Sequence, residues 1–290
     1  MMKARVNPIV GKDLKVTSRS MKYSWSLFAY EGVLTIAFLL TMLANDSMTR
    51  YSGPQITSVY RNYSSFFPVV GVFQLIIIGL IIPVMTAAAI SGEREKKTMD
   101  VLLTTSISAS SIVIGKLASA VIRVMIFVFA SVPLMAISFI IGGIPWRVLI
   151  EYIILAFIYA CFSGSIGIFC SSVCKKTITS VVLSYVIYFG IYAVTYVPSL
   201  VVALTGAGRD GVLTTMLLEL INPVHTFIIF FTDRLSGVSL GELMGRDGFF
   251  SFWSWIYRTN VWLTISAFFQ MGITALFVLF SSIRLKPGEK

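Results

Sequence analysis

The sequence predicts an all-α integral membrane protein with six transmembrane helices, an N-terminal amphipathic interfacial helix and a short cytoplasmic helix. Of its 290 residues, 57% are hydrophobic and 12% charged, whereas soluble domains have about 25% charged residues. The mean hydropathy is +0.87. Apolar stretches of roughly 20 residues match the ~30 Å hydrocarbon core of a bilayer. They also lack the alternating pattern of a membrane barrel.

Six apolar stretches are long enough to cross a bilayer as helices. They cover residues of about 25–44, 67–90, 119–141, 148–170, 178–202 and 260–283. Pro83 and Pro133 lie inside two of these stretches and predict kinks, which neighbouring helices tolerate. We therefore expect a cytoplasmic N-terminus over 1–24, a transmembrane domain over 25–283 and a cytoplasmic tail over 284–290.

The net charge of +10 indicates membrane topology and not nucleic-acid binding. With six spans both termini share one side, and fifteen Lys and Arg residues fall on that side. Seven fall on the opposite side, and Arg123 lies near a span end. By the positive-inside rule the richer side is the cytoplasm. We expect a multi-pass protein of the plasma membrane with both termini in the cytoplasm and no nucleic-acid partner.

Residues 7 to 25 predict an amphipathic helix, with Asn7 as its cap and Pro8 at its first position. Its apolar face contains Val10, Leu14, Met21 and Trp25. Its basic face contains Lys12, Lys15, Arg19 and Lys22. Two opposed faces favour a helix that lies on the membrane surface and contacts anionic lipid. An ordinary basic flank before the first span is the alternative.

Residues 203 to 259 form an outer segment that does not suit a seventh span. Its apolar part contains Glu219, Asn222, Pro223 and His225. At mid-membrane these polar groups would cost a few kcal/mol, and a seventh span would place the basic C-terminus outside. We interpret the segment as re-entrant or as lying in the outer interface.

No catalytic constellation emerges from the sequence. His225 is the only histidine and has no nucleophile motif near it. SGSIG, residues 163 to 167, superficially suggests a serine nucleophile. However, Ser163, Gly167 and Ser171 recur every four positions, a spacing typical of close helix packing in lipid. We therefore predict packing and no catalytic residue.

Other ionisable and metal-binding residues are equally sparse. The three cysteines show no CxxC spacing, so we expect no metal site and no disulfide framework. A phosphate-loop motif is also missing. Glu31 and Arg123 lie near span ends and could form an intramembrane ion pair, although two unrelated helix-end residues explain them equally well. The lack of a polar group at mid-membrane argues against an ion-coupled carrier.

SGEREKKTMDVLLTT, residues 91 to 105, is a compact mixed-charge segment between the second and third spans. Helical spacing would place Glu93 one turn before Lys97, in the favourable order. The apolar stripe that follows contains Met99, Leu102 and Leu103. We predict a helix of about three turns that docks on a protein partner, because charges set the register and apolar residues fill a groove. A helix lying on lipid headgroups is the alternative, which the balanced charge disfavours.

Residues 91 to 119 resemble the cytoplasmic segment of type-2 ABC transporter permeases. The matching positions are Glu93, Arg94, Glu95, Thr98, Met99, Leu102, Leu103, Thr105, Ser108, Gly115 and Lys116. Methionine at position 99 replaces the more usual leucine. The basic N-terminus with its NP and KDL, the six spans and the NP at 222–223 are similar to the family's layout.

The resemblance implies an exporter of two permeases and two ABC ATPase subunits. Segment 91–110 would be the coupling helix, contacting the ATPase through Glu93, Arg94, Glu95, Lys97, Thr98, Met99, Leu102 and Leu103. The N-terminal helix would be the connecting helix beside the ATPase. ATP and Mg²⁺ would be bound by the ATPase, with no cofactor in this chain, and the second permease would be a copy or a relative.

Two other classes of protein remain as alternatives. One is a non-ABC accessory membrane protein or channel whose charged helix docks another cytoplasmic partner. The other is an intramembrane enzyme, for which the sequence offers no credible acid, base or nucleophile.

Overall fold

The computed structural model describes residues 8–52, 66–99, 108–205, 217–236 and 259–285, which are almost entirely helical. The helices are α1 (Pro8–Ser18), α2 (Met21–Ser52), α3 (Phe66–Glu95), α4 (Ala109–Ala130), α5 (Val132–Gly142), α6 (Trp146–Val173), α7 (Thr177–Thr205), α8 (Pro223–Phe231) and α9 (Thr259–Leu285). A π-helical turn, Thr232–Ser236, follows α8 directly.

Within these described ranges, six helical stretches are long and apolar enough to cross a membrane. They are Met21–Ala44, Phe66–Glu95, Ala109–Ile137, Trp146–Val173, Thr177–Val202 and Asn260–Leu285. Their 24 to 30 residues correspond to about 36 to 45 Å of helix, more than the ~30 Å hydrocarbon core. The predicted all-α fold with six transmembrane helices is confirmed.

The third span begins earlier than predicted, at Ala109 and not near residue 119. Ile112, Val113 and Leu117 are buried in its first turns. The predicted span did not include this Ser-rich stretch, and serine is common at helix caps. Burial of the apolar residues between the serines instead favours an extended helix.

Prolines affect the spans in different ways. Pro83 lies inside α3 and Pro198 inside α7, and both helices continue through them. Pro133 follows the interruption at Ser131 that separates α4 from α5. Since proline lacks an N–H and crowds the preceding turn, an interruption just before Pro133 is expected. The sequence prediction did not single out Pro198.

The chain divides into two compact units, residues 1–82 with 111–160 (unit 1) and residues 83–110 with 161–290 (unit 2). In unit 1, the Phe67 ring lies 5.4 Å from that of Tyr152. The Tyr152 hydroxyl and the Ser131 hydroxyl both donate to Gln74 Oε1, at 3.0 and 3.3 Å. These polar side chains are fully buried, and their mutual hydrogen bonds offset part of the cost of removing them from water; Gln74 Nε2 has no partner among the described residues.

Helix α6 approaches α3 closely in unit 2. A Cβ atom on Gly167 would lie only 2.8 Å from the carbonyl oxygen of Pro83. One turn later, Ser171 Oγ accepts hydrogen bonds from the backbone N–H groups of Ile90 and Ser91, at 2.9 and 2.8 Å. The predicted packing role of the small residues is therefore confirmed at Gly167 and Ser171.

The outer segment contains α8, which has nine residues and is only about 13 Å long. Asn222 Oδ1 accepts from Val224 N at 3.0 Å and caps this helix, while Asn222 Nδ2 donates to Thr195 Oγ1 of α7 at 2.9 Å. Among the described residues α8 is not one of the helices long enough to span. This agrees with the expectation that the segment is not a seventh span; whether it is re-entrant or interfacial stays a prediction.

A buried polar network fastens α8 to α9. Thr226 Oγ1 and Ser266 Oγ lie 2.6 Å apart, and Gln270 Nε2 donates to both at 3.0 Å. Beside it, His225 Nε2 lies 2.9 Å from Glu219 Oε2. Glu219, Asn222 and His225, the polar residues that would be costly in a spanning helix, therefore have partners within unit 2.

Two boundaries near the N-terminus differ from the sequence prediction. The amphipathic helix predicted over 7–25 ends at Ser18, and Met21 begins α2. Met21 and Trp25 are 74% and 66% exposed, whereas Val10 is 6% exposed, so the three do not share one buried face. In addition, α2 continues to Ser52, beyond the first span predicted to end near residue 44. Asn7 lies outside the described residues.

Candidate functional site

Helix α3 ends inside the charged segment, at Glu95, and the chain then turns sharply. Lys97 has a φ of 56°, the left-handed conformation that glycine usually adopts at this position. Thr98 N donates to the Glu93 carbonyl at 2.9 Å, and Lys97 N donates to the Arg94 carbonyl at 3.1 Å. This pair of hydrogen bonds is the Schellman motif, which closes the C-terminus of a helix.

The helix of about three turns predicted within residues 91–105 is therefore not continuous, because it is interrupted at residues 96–98. Glu93 and Lys97 do not stand one helical turn apart, because the turn begins at Lys96. Met99 is the next helical residue and is 6% exposed. Leu102 and Leu103 lie outside the described residues.

Arg94 binds the C-terminal end of α6. Its Nη1 donates to the carbonyl of Cys174 at 2.9 Å, and its Nη2 donates to the carbonyl of Ser172 at 3.2 Å. The last carbonyls of a helix have no partner within the helix and form the negative end of its dipole. A guanidinium is suited to this position because it is positive and donates two hydrogen bonds in a fixed fork.

Glu95 binds the N-terminal end of α7. Its Oε2 accepts from Thr177 Oγ1 at 2.5 Å and from Thr177 N at 3.3 Å. Thr177 is the first residue of α7, so the carboxylate receives one of the backbone N–H groups that a helix leaves unbonded. An anion is favoured there by the positive end of the helix dipole.

Arg94 and Glu95 together hold the inner hairpin, which we define as residues 174–176 between α6 and α7. The cation contacts the helix end that precedes the hairpin, and the anion contacts the helix end that follows it. Two neighbouring residues of the charged segment thus have complementary roles within this chain. Lys96 and Lys97, by contrast, are exposed to solvent.

The N-terminal helix α1 lies against the first part of α4. Asp13 Oδ2 lies 3.6 Å from Lys116 Nζ and accepts a hydrogen bond from Ser119 Oγ at 3.3 Å. Lys15, Arg19 and Lys22 are exposed. The side chains of Lys12 and Leu14 lie outside the described part of the chain.

Arg123 is oriented toward α1 and not toward Glu31. Its Nε donates to the Ser119 carbonyl at 3.0 Å, its Nη1 donates to Thr17 Oγ1 at 3.5 Å, and the Asp13 carboxylate attracts it. Glu31 Oε1 has no hydrogen-bond partner among the described residues. None of the contacts described for Arg123 involves Glu31, and the ion pair between them stays a prediction.

The sequence marks the charged cluster around position 94 but does not reveal its intrachain contacts. The only local signal was a short turn, CKKT at 174–177, that ends one helix and starts another. Its partners lie about eighty positions earlier in the chain. No periodicity within a single helix reveals such a contact.

A comparison with protein families identifies the chain. Residues 26–283 match the family described as ABC-2 family transporter protein, while no curated protein sequence matches it significantly. The matched range includes all of the charged segment and almost all of the six spanning stretches. The chain therefore belongs to the ABC-2 transporter family, as a membrane-spanning permease component of an ABC transporter.

Proposed function

We propose that this permease exports its substrate from the cytoplasm, and that the turn after α3 docks on a separate ABC ATPase. The observation that carries the proposal is the exposed pair Lys96 and Lys97 at the end of a spanning helix. The pair follows a helix end whose backbone is closed by a Schellman motif. A defined turn with outward-facing charges suits a protein partner, since charge complementarity sets the register of an interface.

The ATPase would supply the free energy of transport. In this proposal ATP and Mg²⁺ bind to the ATPase, and two ATPase subunits work with two permeases, the second being a copy of this chain or a relative. Closure of the ATPase pair on ATP would displace the docked turn and the spans attached to it. The outward direction is supported by the family's usual activity.

The N-terminal helix is the second element that we assign to the cytoplasmic side. In this proposal both termini are cytoplasmic, and α1 lies beside the ATPase with its basic residues toward the membrane surface. The contacts of Asp13 with Lys116 and Ser119 support a fixed position for α1 on α4. The excess of Lys and Arg on the side of the termini supports the orientation.

Co-purification tests the docking proposal directly. The permease is expressed with the ABC ATPase encoded in its gene neighbourhood and is purified in mild detergent. Lys96→Glu reverses an exposed charge of the turn, and Lys175→Glu is the matched control on the inner hairpin. We expect Lys96→Glu to retain about tenfold less ATPase, since unfavourable charge at an interface weakens binding. Lys175→Glu should retain the wild-type amount.

The other outcomes separate the alternatives. Equal retention by both variants and wild type would remove Lys96 from the interface. If wild type never retains the ATPase, the accessory protein or channel with another partner becomes the better account. Each variant must reach the membrane at the wild-type level for the comparison to hold.

A further inference from the structure

We propose that Arg94 and Glu95 are positioning residues. They transmit movement of the docking turn, which is residues 96–98 after α3, to the inner hairpin and through it to α6 and α7. This inference rests on the proposed function, because it requires an ATPase that moves the turn. It adds a route from the docking turn to two spanning helices that are distant from it in sequence.

The first part of the route is the Arg94 fork. Its two guanidinium nitrogens donate to the carbonyls of Ser172 and Cys174, at 3.2 and 2.9 Å. Two bonds from one planar group restrict rotation as well as separation. Since Arg94 stands in the last turn of α3, a displacement of that turn is passed to the end of α6.

The second part is the Glu95 carboxylate. It holds both the backbone N–H and the hydroxyl of Thr177, so it is bonded to the first residue of α7 through two atoms. Arg94 and Glu95 are adjacent in the chain. The end of α6 and the start of α7 are therefore connected to the same point of α3.

The third part is the bond of Ser171 to α3. Ser171 Oγ accepts from the N–H groups of Ile90 and Ser91, at 2.9 and 2.8 Å, about one turn before Arg94. This fully buried contact fixes α6 to α3 below the exposed hairpin. Because α6 is hydrogen-bonded to α3 at two points along α3, tilting the end of α3 would tilt α6 as well.

A purely structural role explains this arrangement less well. Glu95 is exposed, and exposed ionic contacts contribute little to stability. The inner hairpin contains only three residues between α6 and α7, so the chain itself already keeps the two helix ends together. What the two side chains add is a defined direction between the docking turn and the hairpin.

The native thiol of Cys174 allows a direct test, because its carbonyl accepts the Arg94 hydrogen bond. Cys161 and Cys170 are replaced by alanine, and the permease–ATPase complex is reconstituted in lipid nanodiscs. The rate of Cys174 labelling by a water-soluble maleimide is measured with and without a non-hydrolysable ATP analogue. Arg94→Ala is compared with Arg94→Lys, which keeps the charge without the fork, and with Thr179→Ala, an exposed control on α7.

We expect the nucleotide to change the labelling rate in the wild type and in Thr179→Ala. In Arg94→Ala the ratio of the two rates should move toward 1, the value for zero coupling free energy, because one of the connections between α3 and the hairpin is lost. Arg94→Lys should lie between these values. All four proteins should retain equal amounts of ATPase. If Arg94→Ala does not accumulate in membranes, Glu95→Ala, which removes the acceptor of both Thr177 hydrogen bonds, serves in its place with the same expectation.

Several results would overturn the inference. If the ratio of labelling rates in Arg94→Ala equals that of the wild type, even with faster labelling overall, the contact is merely structural. A wild-type hairpin that does not respond to the nucleotide would show that no movement reaches it. Loss of the ATPase from Arg94→Ala would place Arg94 in the interface instead. Loss of the ATPase from the wild type is a distinct result, which removes the proposed function and this inference with it.

Discussion

Lys97 holds a backbone conformation that favours glycine. The left-handed region costs a residue with a Cβ atom about 1 to 2 kcal/mol, and the Schellman motif requires that region at this position. Lysine at 97, with its φ of 56°, therefore exchanges some stability for an exposed positive charge at the turn. This is consistent with a docking role for the lysine pair.

Replacing Lys97 by glycine should raise the apparent melting temperature of the purified permease, because glycine adopts positive φ without strain. The expected gain is up to about 1 kcal/mol. Lys96→Gly is the matched control and should give no gain, since Lys96 lacks a positive φ. Thermal unfolding in one detergent measures both. A lower melting temperature for Lys97→Gly would show that the lysine side chain itself stabilises the turn.

The sequence marks charged residues beside a spanning helix but does not reveal their partners. Glu93, Arg94 and Glu95 stand out because they are charged residues beside a spanning helix. The hydrogen bonds of Arg94 and Glu95 depend on which helix ends lie next to them in the fold, and those helix ends are about eighty positions away in the chain. The turn itself was missed because lysine occupies the position at which glycine would have marked the end of the helix.

Helix α6 packs so closely against α3 at Gly167 that there is no room for a side chain at this position. A Cβ atom on Gly167 would lie 2.8 Å from the Pro83 carbonyl oxygen. Real Cβ atoms do not come so close to a backbone atom unless the backbone moves. The carbonyl cannot rotate away as a side chain would. The stripe of small residues is therefore a steric requirement of this packing.

Gly167→Ala should destabilise the permease by about 1 to 3 kcal/mol, the usual range for overpacking. Gly190→Ala in α7 is the control, because a Cβ there meets no atom within 4 Å. Glycine inside a helix is less favourable than alanine, so the control should be neutral or slightly stabilising. Detergent thermal unfolding of the two variants provides the comparison. Equal melting temperatures would contradict close packing at Gly167.

Helical elements follow from hydropathy far better than their ends do. A span needs about 20 apolar residues, and this signal located all six of the spans found in the described residues. The ends depend on capping and local burial. For this reason the break between Ser18 and Met21, the early start of α4 at Ala109 and the extension of α2 to Ser52 all differed from the prediction.

For the molecule as a whole, the distribution of charge predicts which side of the membrane each end of a span faces. Hydropathy counts the spans, but only the excess of Lys and Arg distinguishes the two sides. The division into two units has no counterpart in composition, because α3 and α6 each contribute residues to both. Contacts between distant segments determine such a division, and one sequence does not display them.

The orientation gives the last prediction. In the proposed orientation, with six spans and α8 not crossing the membrane, α6 and α9 would both begin on the outer side and the inner hairpin would face the cytoplasm. Single cysteines are introduced at Arg147, Asn260 or Lys175, which are all exposed, in a background without native cysteines. In intact cells, a membrane-impermeant maleimide should label Arg147→Cys and Asn260→Cys but not Lys175→Cys. After the cells are opened, Lys175→Cys should react as well.

Each alternative topology gives a different labelling pattern. An inverted protein would label only at Lys175→Cys in intact cells. If the outer segment crossed the membrane, Arg147→Cys would label but Asn260→Cys would be protected, because α9 would then begin in the cytoplasm. Since the apolar part of this segment carries Glu219 and His225, whose Oε2 and Nε2 atoms lie 2.9 Å apart, a crossing would move both into the hydrocarbon core. The cost of polar groups there favours the six-span pattern.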